Sequence, residues 1–229
     1  MLRLHGGATN GVTAMPSAFS GLARLAAAAA AGLFLSMAPV LACGPGMPAA
    51  ASALLPQSGG LPDAALIDRA ILAEVNARRC RAGLAPLTAA PGLRNVAQAH
   101  AAWMARSRQV SHAGGPRGQE NLGRRLDAAG MGGRGGAENL AMLHLYRLDG
   151  RPVFVRDQAG CVFTDTAGRQ VGRHSVASLA AQVVDNWMAS PGHRANLMDP
   201  RLRHVGAGVA IAPGGRSCGQ VYVTQVFAR

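Results

Sequence analysis

Three side chains in this 229-residue sequence sit in settings that could support chemistry. His193 follows Ser190-Pro191-Gly192, His112 falls in Ser111-His112-Ala113-Gly114-Gly115, and Glu138 lies in Ala137-Glu138-Asn139-Leu140-Ala141. An imidazole titrates near neutrality, so it can act as a general base, a metal ligand or a hydrogen-bonding handle. A carboxylate beside small apolar residues is either a capping group or part of a site. The local alternative for His193 is that it only satisfies a carbonyl at a helix end. Ser190 is the one nearby hydroxyl, and its position suits a helix-end hydrogen bond better than a nucleophile.

The elements that must carry these groups follow from apolar spacing. Val176, Ala180, Val183 and Trp187 define one face of a helix over residues 176–189. Pro191 disfavours a helical Ser190 and Gly192 can take a positive φ, so the helix is expected to stop there and present His193 just beyond its end. A helix starting at residues 88–91, with Leu93, Val96, Ala97, Ala101 and Met104 buried and His100 and Trp103 to the side, runs toward His112. The two histidine placements are parallel. An earlier helix opens at Asp63 as N-cap and lines up Ile67, Ile71, Val75 and Arg78 until Gly83, with Asn76 and Arg79 on other faces. Residues 84–87 form an extended link and 121–130 a short helix. Residues 204–211 and 219–227 alternate as two strands around Pro213-Gly214-Gly215. A hairpin signal at 153–155 and 161–164 marks residues 142–175 as an insertion.

Residues 1–42 have the three-part plan of a secretory signal: Arg24, an apolar run over 25–38, then small residues before Cys43. Translation starting at Met15 would fit that plan better than Met1. Residues 43–60, rich in Ala, Pro, Gly and Ser, read as a flexible linker, and 61–229 as one domain. A lipid anchor on Cys43 is disfavoured by Pro39 and Leu41. No later stretch is apolar for the ~20 residues that a membrane span needs. Export permits disulfides, and Cys43, Cys80, Cys161 and Cys218 allow three full pairings. Cys161 with Cys218 is the preferred pair, with Cys80 free or joined to Cys43.

Several function classes fall away. There is no Gly-x-Ser-x-Gly elbow and no cysteine near either histidine in sequence. The glycine-rich 130–136 lacks the Lys-Ser or Lys-Thr of a phosphate loop, and no strand is expected before it. The net charge of +12 comes from 23 basic residues, all arginine and scattered, while aromatics make up only 4%. That composition offers no base-stacking platform, so no nucleic-acid partner is expected, although weak attraction to anionic lipid or cell-wall polymer is.

Taken in order, the link before Leu87, Ser111-His112, Glu138-Asn139-Leu140-Ala141, the Trp187 helix with Ser190-Pro191-Gly192-His193-Arg194-Ala195-Asn196-Leu197-Met198, and the closing Gly206-Ala207-Gly208-Val209 and Tyr222-Val223-Thr224-Gln225-Val226-Phe227 strands resemble the CAP superfamily. That family includes cysteine-rich secretory proteins, insect venom antigens, plant pathogenesis-related proteins and exported bacterial proteins. The resemblance covers residues 66–227 outside the insertion. It implies an α+β fold, an α-β-α sandwich with a small antiparallel sheet between helices. It also implies a cleft of two histidines and two acids, in which His112, Glu138 and His193 take three places. The second acid of eukaryotic relatives, three residues after the Trp, is Ser190 here, and Asp185 lies on another side of that helix. Two imidazoles and one carboxylate could hold Zn²⁺ through His112 and His193 with water completing the shell, but not as an all-protein structural site.

Three functions compete. The first is a secreted or periplasmic, monomeric, non-enzymatic module whose cleft binds a small apolar ligand, a peptide or a cell-envelope component. Lipid and sterol binding, reported for several family members, is part of what the resemblance implies. The second is a hydrolase in which Glu138 activates His112 or His193, or a metal-bound water attacks. The third is a vestigial cleft that only ties loops together. Binding is the reading favoured, since no nucleophile motif accompanies the histidines.

Overall fold

Strands β5 (His204–Ala212) and β6 (Gln220–Ala228) are almost wholly buried, which a sheet tolerates only when both of its faces are covered. In the computed structural model, which describes residues 43–57 and 63–229, helices supply both covers. Val221, Val223 and Phe227 of β6 pack with α1 (Ala64–Arg81) and α4 (Val176–Ala189), while Tyr222 and Val226 pack with α2 (Pro91–Ser107). The result is the expected α-β-α sandwich. The expected signal segment and its Met15 start lie outside the described residues.

The sheet runs β1 (Thr88–Ala89), β5, β6, β2 (Gly136–His144), antiparallel except that β1 lies parallel to β5. Thr88 and Ala89, expected to open the second helix, form this short strand instead. α2 then starts at Pro91, whose missing N–H costs nothing in the first turn. It lies close upon β5, because a Cβ on Gly206 would overlap the backbone of Leu93 and Arg94, and one on Gly208 that of Ala97 and Gln98.

Side chains bond to the β2 edge and to the part of β5 that extends past the two-residue β1. On β5, Asp68 Oδ1 accepts from Ala207 N (2.8 Å), and the Gln98 amide accepts from Val209 N (3.1 Å) and donates to its carbonyl (2.8 Å). On β2, Trp187 Nε1 donates to Leu140 O (3.0 Å), Asn196 Nδ2 to Glu138 O (3.3 Å), and Asp149 Oδ2 accepts from His144 N (2.9 Å). Unpaired strand edges invite pairing with another chain, and these contacts occupy several of the free backbone groups.

α1 is capped as expected, with Asp63 Oδ1 accepting from Ala65 N and Leu66 N. Its faces are not as the apolar spacing predicts. Arg78 is partly exposed in a cluster with Glu74 and Asp185, whereas Asn76 and Arg79 are buried. Asn76 exchanges two hydrogen bonds with the Leu87 backbone, and Arg79 donates to the carbonyls of Ala85, Leu197 and Asp199. Two buried polar side chains thus hold the 84–87 link and the segment after α4 against α1.

Residues 43–57 do not form a linker. Cys43 is joined to Cys80, a 3-10 turn spans Ala49–Ser52, Ala51 and Leu55 are buried, and Leu55 N donates to His174 O (2.9 Å). Two apolar side chains and a disulfide suffice to dock a segment with no apolar period. The same disulfide occupies the sulfur that a lipid anchor would need.

The expected hairpin is present as β3 (Phe154–Asp157) and β4 (Val162–Thr164), and Cys161 is joined to Cys218. The excursion starts later than residue 142, however. β2 continues to His144, with Leu143 and Leu145 fully buried.

Burial raises the pKa of Asp68 to about 6. The folded protein therefore holds that proton after the unfolded chain has released it, and this residue's contribution to stability falls as pH rises from about 4 to about 6. Asp68→Asn keeps the acceptor for Ala207 N and removes the penalty, so denaturant melts should show it gaining on wild type by roughly 2–3 kcal/mol between pH 4 and pH 7. An equal difference at both pH values would refute this assignment. Gly208→Ala should lose about 1–3 kcal/mol by pushing α2 off β5, read in the same melts.

Candidate functional site

The site is assembled around a buried guanidinium. Asn121 caps α3 (Leu122–Ala128) by accepting from Arg124 N, and the short helix aims Arg125 inward. There it uses all five of its N–H donors: Nε to Glu138 Oε2 (2.7 Å), one terminal nitrogen to Glu138 Oε1 (3.0 Å) and His112 O (2.8 Å), the other to Gly114 O (3.1 Å) and Gln119 O (2.6 Å). One side chain thereby fixes both the Glu138 carboxylate and the loop that carries His112.

Glu138 has a side chain only 2% exposed, and it turns toward α2 and α3. Its Oε1 lies 2.9 Å from His112 Nδ1, while the His112 side chain is 63% exposed, so the imidazole is held at its root and open at its rim. Beneath them lies His100, expected beside the buried stripe but in fact fully buried. It stacks on Trp103 with ring centroids 5.7 Å apart, and its Nδ1 sits 3.1 Å from Thr224 Oγ1 and 3.8 Å from Glu138 Oε2. Burial pushes its pKa down to about 4, which keeps it neutral between two charged neighbours.

The next strand residue, Asn139, points to the other face of the sheet. It donates to His193 O (3.2 Å) and accepts from Asn196 Nδ2 (2.8 Å), clamping α5 (Pro191–Leu197) against β2. The helix over 176–189 stops at Ser190 as expected, but the expected positive φ at Gly192 and a His193 placed beyond a helix end are corrected here. Ser190 is extended (φ −94°, ψ 119°) and separates two helices, Pro191 opens the second, and Gly192 has no positive φ. His193 is therefore delivered in the first turn of α5, not in a loop. It is half-buried, and burial followed by the neighbouring His112 lowers its pKa. The two imidazoles thus come within electrostatic reach of each other, carried by elements on opposite faces of the sheet.

Ser190 is half-buried and its hydroxyl caps neither helix. Asp185 pairs with Arg78 (2.6 Å) on the exposed flank of α4 and gives the cleft no second acid. Zinc does not fit the donor set well. Among the described residues no group of three or more His, Cys, Asp or Glu is arranged to hold a metal, and the one cleft carboxylate is already held by Arg125 and His112.

Arg125, His100 and Asn196 were not picked out by residue type. A signal for Arg125 existed: it sits three residues after Leu122, beside Leu126 and four before Ala129, on the apolar side of its helix.

Residues 72–227 match the family model described as CAP, the cysteine-rich secretory protein family, and the chain belongs to that family. No curated protein matches it. Among solved structures it is similar to an extracellular SCP-domain protein of Bacillus anthracis (TM-score 0.49, 23% identity, covering 75% of this chain and 45% of that one). It is also similar to an outer surface protein of Borrelia burgdorferi (TM-score 0.48, 15% identity, covering 75% and 99%). The chain thus spans less than half of the Bacillus protein.

Removing the guanidinium leaves a buried carboxylate without its partner. Arg125→Leu should therefore cost about 3–5 kcal/mol in denaturant melts, while His112→Ala, at an exposed rim, should cost under about 1 kcal/mol. Equal losses from the two would show that Arg125 is not the anchor.

Proposed function

We propose that this protein is an exported, non-enzymatic binding module that uses the His112–Glu138–His193 cleft to hold a hydrogen-bonding ligand, a peptide or a cell-envelope component. The observation that carries this reading is the commitment of Glu138: both of its oxygens are engaged by Arg125, and one also by His112. A carboxylate held that way orients an imidazole without being free to take a proton from substrate. The cleft then offers an exposed His112 ring at fixed orientation beside a half-buried His193, a polar, preorganised surface suited to recognition. That polarity favours a peptide or polymer over the small apolar ligand. The two disulfides support export, since such bonds persist in oxidising compartments.

One feature favours the hydrolase alternative. The 2.9 Å contact from His112 Nδ1 to Glu138 is the arrangement by which an acid orients a general base. The nearest sequence hydroxyl, Ser111, is turned to its own loop, donating to Ala113 O (2.7 Å), and supplies no nucleophile.

Co-sedimentation with insoluble cell-wall polymer and titrations with peptides and a fluorescent fatty acid would decide the matter. Polymer or peptide should bind, and His112→Ala should weaken that binding about tenfold. Tighter binding of the fatty acid than of either would replace the polar ligand by an apolar one. Turnover of an ester or peptide that His112→Ala abolishes would make the protein an enzyme.

A further inference from the structure

A second concavity, of about 450 Å³, opens where the excursion after β2 meets α4, and Asp149, Arg151, Asp165, Thr166, Arg169 and Gln182 line it. Its loops are fastened by carboxylates. Asp149 takes both the His144 backbone N–H and His144 Nδ1 (2.9 and 2.8 Å). Asp165 takes the backbone N–H groups of Ala167 and Arg169 and the Arg169 guanidinium, each at 2.9 Å. Asp165 is ion-paired with Arg169, and Asp149 is held by the backbone and imidazole of His144, so the oxygens of both acids are turned into their own loops.

One guanidinium is left over and a second is only partly used. Arg151 makes no hydrogen bond or ion pair among the described residues, and Arg169, with a side chain 81% exposed, keeps a terminal nitrogen unused. Another uncommitted group lies nearby, outside the lining. His174 is 2% exposed, its Nδ1 is 3.0 Å from Ser178 Oγ and its Nε2 has no partner, and it lies within electrostatic reach of Asp149, Arg147 and Arg151. With the acids turned into their own loops, Arg151 unpaired among the described residues and Arg169 keeping one terminal nitrogen, the concavity can receive an oxyanion, because the planar guanidinium fork matches a carboxylate or phosphate in two parallel hydrogen bonds.

We propose that this concavity is a second binding site, which takes a ligand bearing a phosphate or carboxylate group through Arg151 and Arg169, with the Thr166 hydroxyl and Gln182 amide as neutral partners. It is separate from the histidine cleft. Glu138 and His144 are six residues apart on β2, which places the two sites ~20 Å apart along the strand. The volume falls in the range of small-molecule pockets and exceeds what a bare ion fills, so the oxyanion is one group on a larger molecule or on a polymer end.

Calorimetric titration of the purified protein at low ionic strength with inorganic phosphate, and separately with glucuronate, tests this. Saturable binding of either is expected, with phosphate alone indicating a phosphoryl ligand and glucuronate alone a carboxylate one. Arg151→Gln combined with Arg169→Gln should weaken it about tenfold. Arg151→Gln alone touches no partner, so it should weaken binding with an unchanged melting temperature. Arg117→Gln, at an exposed arginine elsewhere, and His112→Ala in the cleft should leave the affinity unchanged. Absence of saturable binding for both ions, or an equal loss in Arg117→Gln, overturns the proposal, the latter by showing that general positive charge is responsible.

Discussion

The five-donor engagement of Arg125 is the interaction on which the cleft depends. A guanidinium cannot discharge itself by losing a proton, so once buried it must find acceptors in every direction in which it points. Glu138 supplies charge, and three loop carbonyls supply the rest of the shell. The consequence runs outward. The loop from His112 to Gln119 contains glycines and lacks regular structure, yet it is held at three carbonyls by one side chain that belongs to a different element. His112 is exposed without being free to wander, which is the combination a recognition surface needs and a loop seldom achieves alone.

The other half of the cleft is built by a different device. Asn139 acts on the opposite face of the same strand and grips the first turn of α5 by its backbone. Because successive strand residues alternate faces, the Glu138-Asn139 dipeptide governs two histidines carried by elements on opposite sides of the sheet. Neither histidine is positioned by its own flanking sequence alone.

Much of this was legible in the sequence where apolar spacing or capping chemistry decides structure. The α2 stripe, the α4 face ending in Trp187, the Asp63 cap and both closing strands lie where periodicity places them, and Cys161 pairs with Cys218. The failures share a cause. Periodicity counts apolar side chains, so it puts Arg79, Asn76 and His100 off the apolar faces and passes over Arg125, although each is buried against specific polar partners. Proline opposes helix before it, and α4 does end at Ser190, but the proline rule says nothing of the helix that follows. The same residue is equally at home as the first residue of a next helix, and only packing of α5 on β2 decides that one forms. Residues 43–57 docked through two apolar contacts and a disulfide, a pattern too sparse for composition to reveal.

The plugging of the β2 edge bears on how the family motif itself is to be understood. Trp187 and Asn196, two of its most recognisable residues, donate to backbone carbonyls that would otherwise face outward from the last strand. They cover two acceptors of an edge of the kind that invites strand exchange, whatever the neighbouring histidines bind. A descendant that lost its ligand altogether would still be held to the same Trp and Asn by the hazard of self-association. Persistence of this motif along a lineage is therefore a record of solubility as much as of binding, and only the residues that rim the cleft without plugging an edge, His112 foremost, can report by their drift that the function has gone.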